Sequence, residues 1–276
     1  MEPPILSKPF LKWAGGKSKL VPTLERFLGF SGRLVEPFVG SGAVFMGTRF
    51  NSYFLADSNK DLVCLFSTLK HSFAELVTEA EGLFQPRFNS ETSFYELRKE
   101  FNELANEDNA LRKSALFLYL NKHAFNGLCR YNAKGQFNVP FGRYERPTMP
   151  ANELKAFAEK AQLAEFQCLD YRETFRRLVP GDVVYCDPPY VPLSKTASFT
   201  SYDKGGFGEN EQRELADLAN ICREKGNLVV ISNHDTDFTR EIYKGAKIES
   251  IDVRRSISSK ASTRGKTKEI IAVFQP

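Results

Sequence analysis

Histidine is scarce in this 276-residue chain, and the three present, His71, His123 and His234, do not cluster with cysteines or acids. Without such ligand spacing no metal site is expected. The five cysteines, Cys64, Cys129, Cys168, Cys186 and Cys222, are odd in number and include no Cys-x-x-Cys pair. That argues against a disulfide framework and for reduced thiols inside apolar runs of a cytoplasmic protein. No apolar stretch is long enough to span a bilayer, so no membrane partner is expected. Met1-Glu2-Pro3-Pro4 lacks the basic-then-apolar start of a secretory signal. Internal repeats and low-complexity segments are missing too. The net charge, +4, is too small to identify a partner, and 42% hydrophobic with 26% charged residues suits one substantial core plus an inserted lobe.

Glycine-rich loops of the familiar kinds are incomplete. Arg33-Leu34-Val35-Glu36-Pro37 reads as a strand, and Phe38-Val39-Gly40-Ser41-Gly42 as a turn that lets backbone approach a ligand before a helix starts near Ala43. The full three-glycine dinucleotide pattern is lacking and no Gly-Lys-Ser/Thr closes the turn, so neither NAD nor ATP phosphates are favoured. The next apolar run, Tyr53-Phe54-Leu55-Ala56, ends in Asp57, where the second strand of a nucleotide-type unit presents a carboxylate to ribose hydroxyls. Upstream, Phe10-Leu11-Lys12-Trp13-Ala14-Gly15-Gly16-Lys17 holds the only tryptophan. It does not follow a strand in the frame a phosphate loop needs, and in isolation it reads as a turn anchored by a buried Trp13.

Against these gaps stands Cys186-Asp187-Pro188-Pro189-Tyr190, placed after the apolar run Val183-Val184-Tyr185. Two successive prolines fix the direction of the carbonyls around them. The Asp187 carboxylate and the Pro188 carbonyl can together accept both hydrogens of an exocyclic amino group, and Tyr190 can stack on the planar base that carries it. The same residues also fit a Pro-rich turn behind a buried strand with a surface tyrosine.

Strands are expected at 34–36, 53–57, 183–187, 228–232, 248–253 and 270–274, a further strand is possible at 166–169, and a helix at 209–225. Strand and helix in alternation predict an α/β, Rossmann-like sheet with ligands at the carboxyl ends of its strands. The stretch 61–164 reads differently: helical periodicity dominates, as at 110–122, broken by a Gly-rich, basic and aromatic run over 125–146. The expected organisation is therefore a catalytic domain from 1–60 and 165–276, with a mainly helical lobe inserted at 61–164. In the lobe, Lys122, Arg130, Lys134, Arg143 and Arg146 interleave with Phe125, Tyr131, Phe137, Phe141 and Tyr144. Guanidinium groups can bond guanine O6 and N7, and rings can wedge or stack on bases. Phe137 and Phe141 fit the lobe's own core equally well. Near the end, Arg254, Arg255, Lys260, Arg264, Lys266 and Lys268 form an acid-free basic stretch that suits phosphate contacts or a solvated loop.

These blocks in this order resemble the amino-group DNA methyltransferases that use S-adenosylmethionine, and most closely the bacterial Dam-type adenine enzymes. The resemblance runs nearly end to end, including Leu118-Tyr119-Leu120-Asn121, Asn126-Gly127-Leu128-Cys129-Arg130-Tyr131-Asn132, 137–144, Ser232-Asn233-His234-Asp235 and 253–259. It implies Asp187, Pro188 and Tyr190 as catalytic residues. For S-adenosylmethionine it implies Trp13 and Lys17 near the methionine part, Glu36 with the Gly40 and Gly42 turn, Asp57 on the ribose hydroxyls, and Asp187 at the junction with the target base. Asp170 and Tyr171 are further candidates for the cofactor adenine, although Asp170 also reads as a plain strand-end acid. For double-stranded DNA it implies Lys12, Phe125, Asn126, Leu128, Arg130, Pro140 and Tyr144. Arg130 matches the guanine-reading arginine, and Phe125 an aromatic that enters the base stack, here without the hydroxyl of a tyrosine. His234 stays unassigned, with Asp235 as a candidate helix cap. No metal is implied.

The reaction implied is methylation of adenine N6 in GATC by a monomer in the bacterial cytoplasm or nucleoid, or by a phage-encoded enzyme. Adenine inside a duplex is unreachable, so the base must be flipped out. Transfer would then be direct, with no covalent enzyme intermediate. Cytosine N4, adenine N6 in RNA, and a non-catalytic DNA-binding regulator remain the alternatives.

Overall fold

Short apolar runs bounded by turns form buried strands here, as their length predicts. In the computed structural model, which describes residues 7–29, 32–191, 207–254 and 266–276, seven strands join one sheet. They are β1 (Arg33–Glu36), β2 (Ser52–Asp57), β3 (Ala164–Cys168), β4 (Val183–Cys186), β5 (Leu228–His234), β6 (Lys247–Arg254) and β7 (Lys266–Phe274), in the order β3-β2-β1-β4-β5-β7-β6. Leu34 of β1 pairs in parallel register with Val183 of β4, and Val184 with Val229 of β5. β7 runs antiparallel to both β5 and β6. The fold is the expected α/β, Rossmann-like sheet. β4 stops at Cys186, leaving Asp187 as the first residue beyond the strand, and β5 runs two residues past Ser232 to His234.

The helices among the described residues are α1 (Val21–Leu28), α2 (Ala43–Gly47), α3 (Lys60–His71), α4 (Phe73–Leu83), α5 (Glu91–Glu103), α6 (Asn106–His123), α7 (Ala151–Ala161), α8 (Tyr171–Arg176), α9 (Glu209–Glu224) and α10 (Asp237–Ile242). Their starts follow local chemistry. Asn59 caps α3 by accepting from the amides of Asp61 and Leu62, and Asp170 caps α8 by accepting from Arg172. Thr236, not Asp235, caps α10. Asp235 instead takes a bidentate contact from Arg240, at 2.6 and 2.8 Å, and a hydrogen bond from Ser250. A guanidinium within reach outcompetes a backbone amide for that carboxylate. None of these helices is long and apolar enough to cross a membrane.

Contacts divide the chain into two compact units. The first, Met1–Pro22, Val39–Arg49 and Leu55–Cys168, packs α3 against α6 and α7. Its core is aromatic: Phe66 and Phe157 sit 4.7 Å apart, with Phe10, Phe45 and Phe166 around them. The second, Thr23–Phe38, Phe50–Phe54 and Leu169–Pro276, buries Val35, Val184, Val229, Ile231 and Ala272 of the strands with Leu215, Ala219 and Cys222 of α9. Arg33 forks onto the buried Asp182 at 2.9 and 2.7 Å and so pins the start of β1 to the turn before β4. Of the basic stretch near the end, Arg255, Lys260 and Arg264 lie outside the described residues. Arg254 and Lys266 are register partners, and Lys268 is exposed on β7.

The last residue of α6, His123, is fully enclosed, its ring 3.9 Å from that of Tyr119 and its Nδ1 2.9 Å from the Tyr119 carbonyl. Burial pushes its pKa down from 6.5 to about 4. As pH falls below about 6.5 the unfolded chain takes up a proton that the native state refuses until about pH 4, so stability is full above this window and drains across it. The loss attributable to this group is on the order of 3 kcal/mol. Thermal unfolding from pH 7 to pH 4 should show a visibly shallower decline for His123→Phe than for the wild type. Parallel curves would rule out His123 as the source.

Candidate active site

In the second unit, chemistry gathers where β4 ends. The parallel pairing of β1 with β4 sets Glu36, the last residue of β1, beside the strand that leads into Asp187. Ser232, wholly buried on β5, donates to Asp187 Oδ1 at 3.2 Å, and Tyr185 lies 2.8 Å from the same serine oxygen. A hydroxyl has one proton; Ser232 gives its own to the carboxylate, so Tyr185 donates to Ser232. Burial holds the Tyr185 phenol protonated far above its usual range, and the charges of Asp187 and Glu36 add to this. The three groups form a chain, phenol to hydroxyl to carboxylate, that fixes the orientation of Asp187. Tyr190 donates to Glu269 at 3.1 Å and sets its ring edge-on to His234, 4.9 Å away.

The Asp-Pro-Pro-Tyr segment is held by side chains of β5 and α9. Asn233 Oδ1 accepts from the amide of Val191 at 3.2 Å, and its Nδ2 donates to Gln212 of α9 at 2.9 Å. Gln212 in turn donates to the Pro189 carbonyl at 2.7 Å. His234 Nδ1 meets the Val191 carbonyl at 2.6 Å, so that nitrogen carries the proton. Asn233 and His234 stand in a block the sequence reading noticed and left without a role. Gln212 carried no signal, because one glutamine on an amphipathic helix reads as solvated until the helix is placed.

In the first unit, Asp57 ends β2. Its carboxylate accepts from the amides of Gly40 at 3.0 Å and Asn59 at 2.9 Å, which binds the strand end to the glycine turn. Burial raises the Asp57 pKa, opposed by those two amides. Gly40 and Gly42 both adopt left-handed backbone, at φ 49° and 72°. A Cβ on Gly40 would sit 3.0 Å from Trp13 Nε1, so the indole lies directly against the turn, and a larger residue would have to push it aside as well as strain the backbone. Lys17 is buried, with Nζ on the Gly15 carbonyl at 2.8 Å. Trp13, Gly40, Gly42 and Asp57 are thus brought together. A tight glycine floor beside an indole, with a carboxylate that keeps lone pairs for hydroxyl donors, fits a nucleoside-bearing ligand. Of the two further candidates, Asp170 is spent on its helix cap and Tyr171 on Glu214, at 3.1 Å, with its ring stacked on Phe38.

Also in the first unit, the Lys12 ammonium stands 4.0 Å over the Tyr144 ring. Asn121 clamps this segment by accepting from the Lys12 amide at 2.9 Å and donating to the Lys12 carbonyl at 2.7 Å. Phe125 is 50% exposed, and its amide donates to the Pro140 carbonyl at 2.9 Å. The turn beyond it, Asn126 and Gly127, is left-handed at both residues, φ 54° and 60°, and a Cβ on Gly127 would collide with Lys12. Lys12, Phe125, Asn126, Pro140 and Tyr144 therefore share one face of this unit. Leu128 is half-buried, and Arg130 is exposed further along a short hairpin, donating to Asn138 Oδ1 at 2.8 Å. Phe137 is buried against Phe101, which makes it part of the core, and the half-buried Phe141 packs on Phe94. No group of three or more His, Cys, Asp or Glu able to hold a metal occurs among the described residues.

If the Tyr185–Ser232 chain orients Asp187, Ser232→Ala should lower kcat for methyl transfer by about tenfold while KM for the duplex changes by less than about twofold. An unchanged kcat, or a loss confined to KM, would remove Ser232 from that role.

The model of the family described as D12 class N6 adenine-specific DNA methyltransferase matches residues 13–257. Curated relatives named DNA adenine methylase align almost end to end. That of Vibrio cholerae O395 is 48% identical over 97% of this chain and 96% of its own, and that of Escherichia coli K12 is 48% identical over 98% and 96%. The Serratia marcescens protein of the same name is 46% identical over 98% of this chain and 99% of its own. With the acid and paired prolines past β4, a glycine turn bound to a strand-end carboxylate and a match over most of its length, this chain belongs to the D12 class N6 adenine-specific DNA methyltransferases.

Proposed function

We propose that this enzyme transfers a methyl group from S-adenosylmethionine to N6 of a flipped adenine in GATC. The observation that carries the reading is Asp187, fixed by Ser232 immediately after β4 and followed by two prolines. With Asp187 and the Pro188 carbonyl accepting the two amino hydrogens, the nitrogen can pyramidalise and aim its lone pair at the donor. Tyr190 faces the base. Most of the acceleration then comes from positioning and fixed dipoles.

When bound, S-adenosylmethionine supplies an activated methyl group. Trp13 and Lys17 hold its methionine part, Glu36, Gly40 and Gly42 line the turn beneath it, Asp57 takes the ribose hydroxyls, and Asp187 serves both ligands. Residues 61–164 are the recognition lobe, and 1–60 with 165–276 the catalytic domain. Arg130 reads a guanine, Phe125 wedges the stack, and Lys12, Asn126, Leu128, Pro140 and Tyr144 complete the DNA contacts. Flipping costs a few kcal/mol, which stacking and pocket hydrogen bonds offset. The relatives named DNA adenine methylase support adenine in DNA as the target, and their bacterial sources fit action in the cytoplasm; the enzyme is taken to act as a monomer.

Tritiated methyl transfer should label a GATC duplex and neither a scrambled duplex nor one already carrying N6-methyladenine on both strands. Label on the scrambled duplex would overturn the target, and label on none would overturn the activity. Asp187→Ala should fall below about 1% of wild-type transfer while still binding the duplex, since several kcal/mol are asked of this group. Arg130→Ala should relax discrimination at one guanine by about 1–3 kcal/mol, and an equal loss on every sequence would sink its assignment.

A further inference from the structure

The two neighbours of Arg130 in sequence are both tied to the segment that follows the strand-end acid Asp57. Tyr131 donates its hydroxyl to Asp61 Oδ2 at 2.7 Å, and Cys129 Sγ receives the Asn59 side-chain amide at 3.6 Å. Asp61 is 4% exposed and sits in the first turn of α3, with the equally buried Lys113 of α6 at 3.6 Å from its other oxygen. A carboxylate held by one cation and one phenol inside a core has little freedom to move, and its phenol partner shares that rigidity. Asn59, which caps α3, also gives its amide to Asp57 at 2.9 Å. An unbroken run of hydrogen bonds thus leads from the glycine turn through Asp57 and Asn59 to Cys129.

Arg130 has weaker supports of its own. It is exposed, and among the described residues its guanidinium bonds Asn138 alone, the residue across the hairpin, at 2.8 and 3.2 Å. Tyr131 bridges to Phe137 in that hairpin, whose tip is an Asn132 side-chain turn. A hairpin this short is marginal by itself. On its return strand Asn102 holds Phe137 at 2.8 and 3.1 Å and Arg98 holds the Val139 carbonyl at 3.0 Å; on the Arg130 strand it is Tyr131 and Cys129 that fasten it, to α3 and to the cap of α3.

We infer that Tyr131, through its hydroxyl on Asp61, is a positioning residue for guanine reading by Arg130, and that this contact ties the reading to the Asp57 turn. The inference rests on Arg130 being the guanine reader. A guanidinium bidentate to guanine O6 and N7 must be held in place to favour that base, and a loosened hairpin lets it settle for phosphates or water.

The test compares wild type, Tyr131→Phe and Arg130→Ala, each without cofactor, by anisotropy on a GATC duplex and on one whose guanine is replaced by 7-deazaguanine, which lacks the N7 acceptor. The ratio of the two Kd values cancels the amount of folded protein, so lost stability alone does not move it. Tyr131→Phe should reduce the wild-type ratio by about fivefold, and Arg130→Ala should erase it. A second readout is the S-adenosylmethionine Kd with and without the GATC duplex. Any difference between the two in wild type should shrink in Tyr131→Phe, because coupling between sites is reciprocal. If Arg130→Ala erases the ratio while Tyr131→Phe keeps it, the positioning role is overturned. If Arg130→Ala leaves the ratio intact, the guanine-reading assignment fails instead.

Discussion

Two consecutive prolines remove every backbone donor between Asp187 and Tyr190, and the unit that carries them is arranged around that deficit. A loop that cannot tie itself down by its own amides has to be gripped by its carbonyls and from its ends. Gln212 grips the Pro189 carbonyl, Asn233 the Val191 amide, and His234 the Val191 carbonyl. All three are supplied by β5 or by α9 packed across it. These side chains have to be polar in order to hold the loop and enclosed in order to hold it firmly. Unpaired, each such group would cost about 1–3 kcal/mol, so the network persists only because its members satisfy one another. The result is a carboxylate whose position is set before any substrate arrives.

The strands, the glycine turn and Asp187 were legible because each is a local signal. A four-residue apolar run, a left-handed glycine and a proline pair keep their meaning wherever they sit. Gln212 was not legible, since its role depends on where α9 lands against β5. The swap between Asp235 and Thr236 shows the same limit at short range. Both are good caps, and the choice was decided by Arg240 and Ser250, five and fifteen residues further on. Asp61 belongs to this group as well: it reads as a first-turn acid on α3, and only the fold encloses it with Lys113 and Tyr131.

The face that holds Lys12, Phe125 and Tyr144 carries strain as well as charge. Asn126 and Arg143 hold left-handed backbone without being glycine, a conformation that costs of order 1–3 kcal/mol and persists only where neighbours enforce it. The neighbours of Asn126 are visible. Gly127 leaves no room for a side chain beside Lys12, and Asn121 bonds both Lys12 and the Gly127 carbonyl, the latter at 3.3 Å. Phe125, half-exposed, stands at the start of this turn.

On the proposed DNA-binding role, a half-exposed phenylalanine beside a strained turn is unfavourable in water and favourable between bases, so the free protein would already bear part of what base extrusion demands. Burying the exposed half of that ring in a base stack would recover about 1 kcal/mol, a fraction of the cost of unstacking one step. The charge beside it works in the same direction. Burial, together with the nearby Lys12, brings the Lys122 pKa down to about 8, so this pair of cations resists crowding in the free protein. A phosphate backbone laid over that face would relieve the repulsion. On that proposed role, the crowded cations would favour any bound duplex, and only the ring would favour an opened duplex over a closed one.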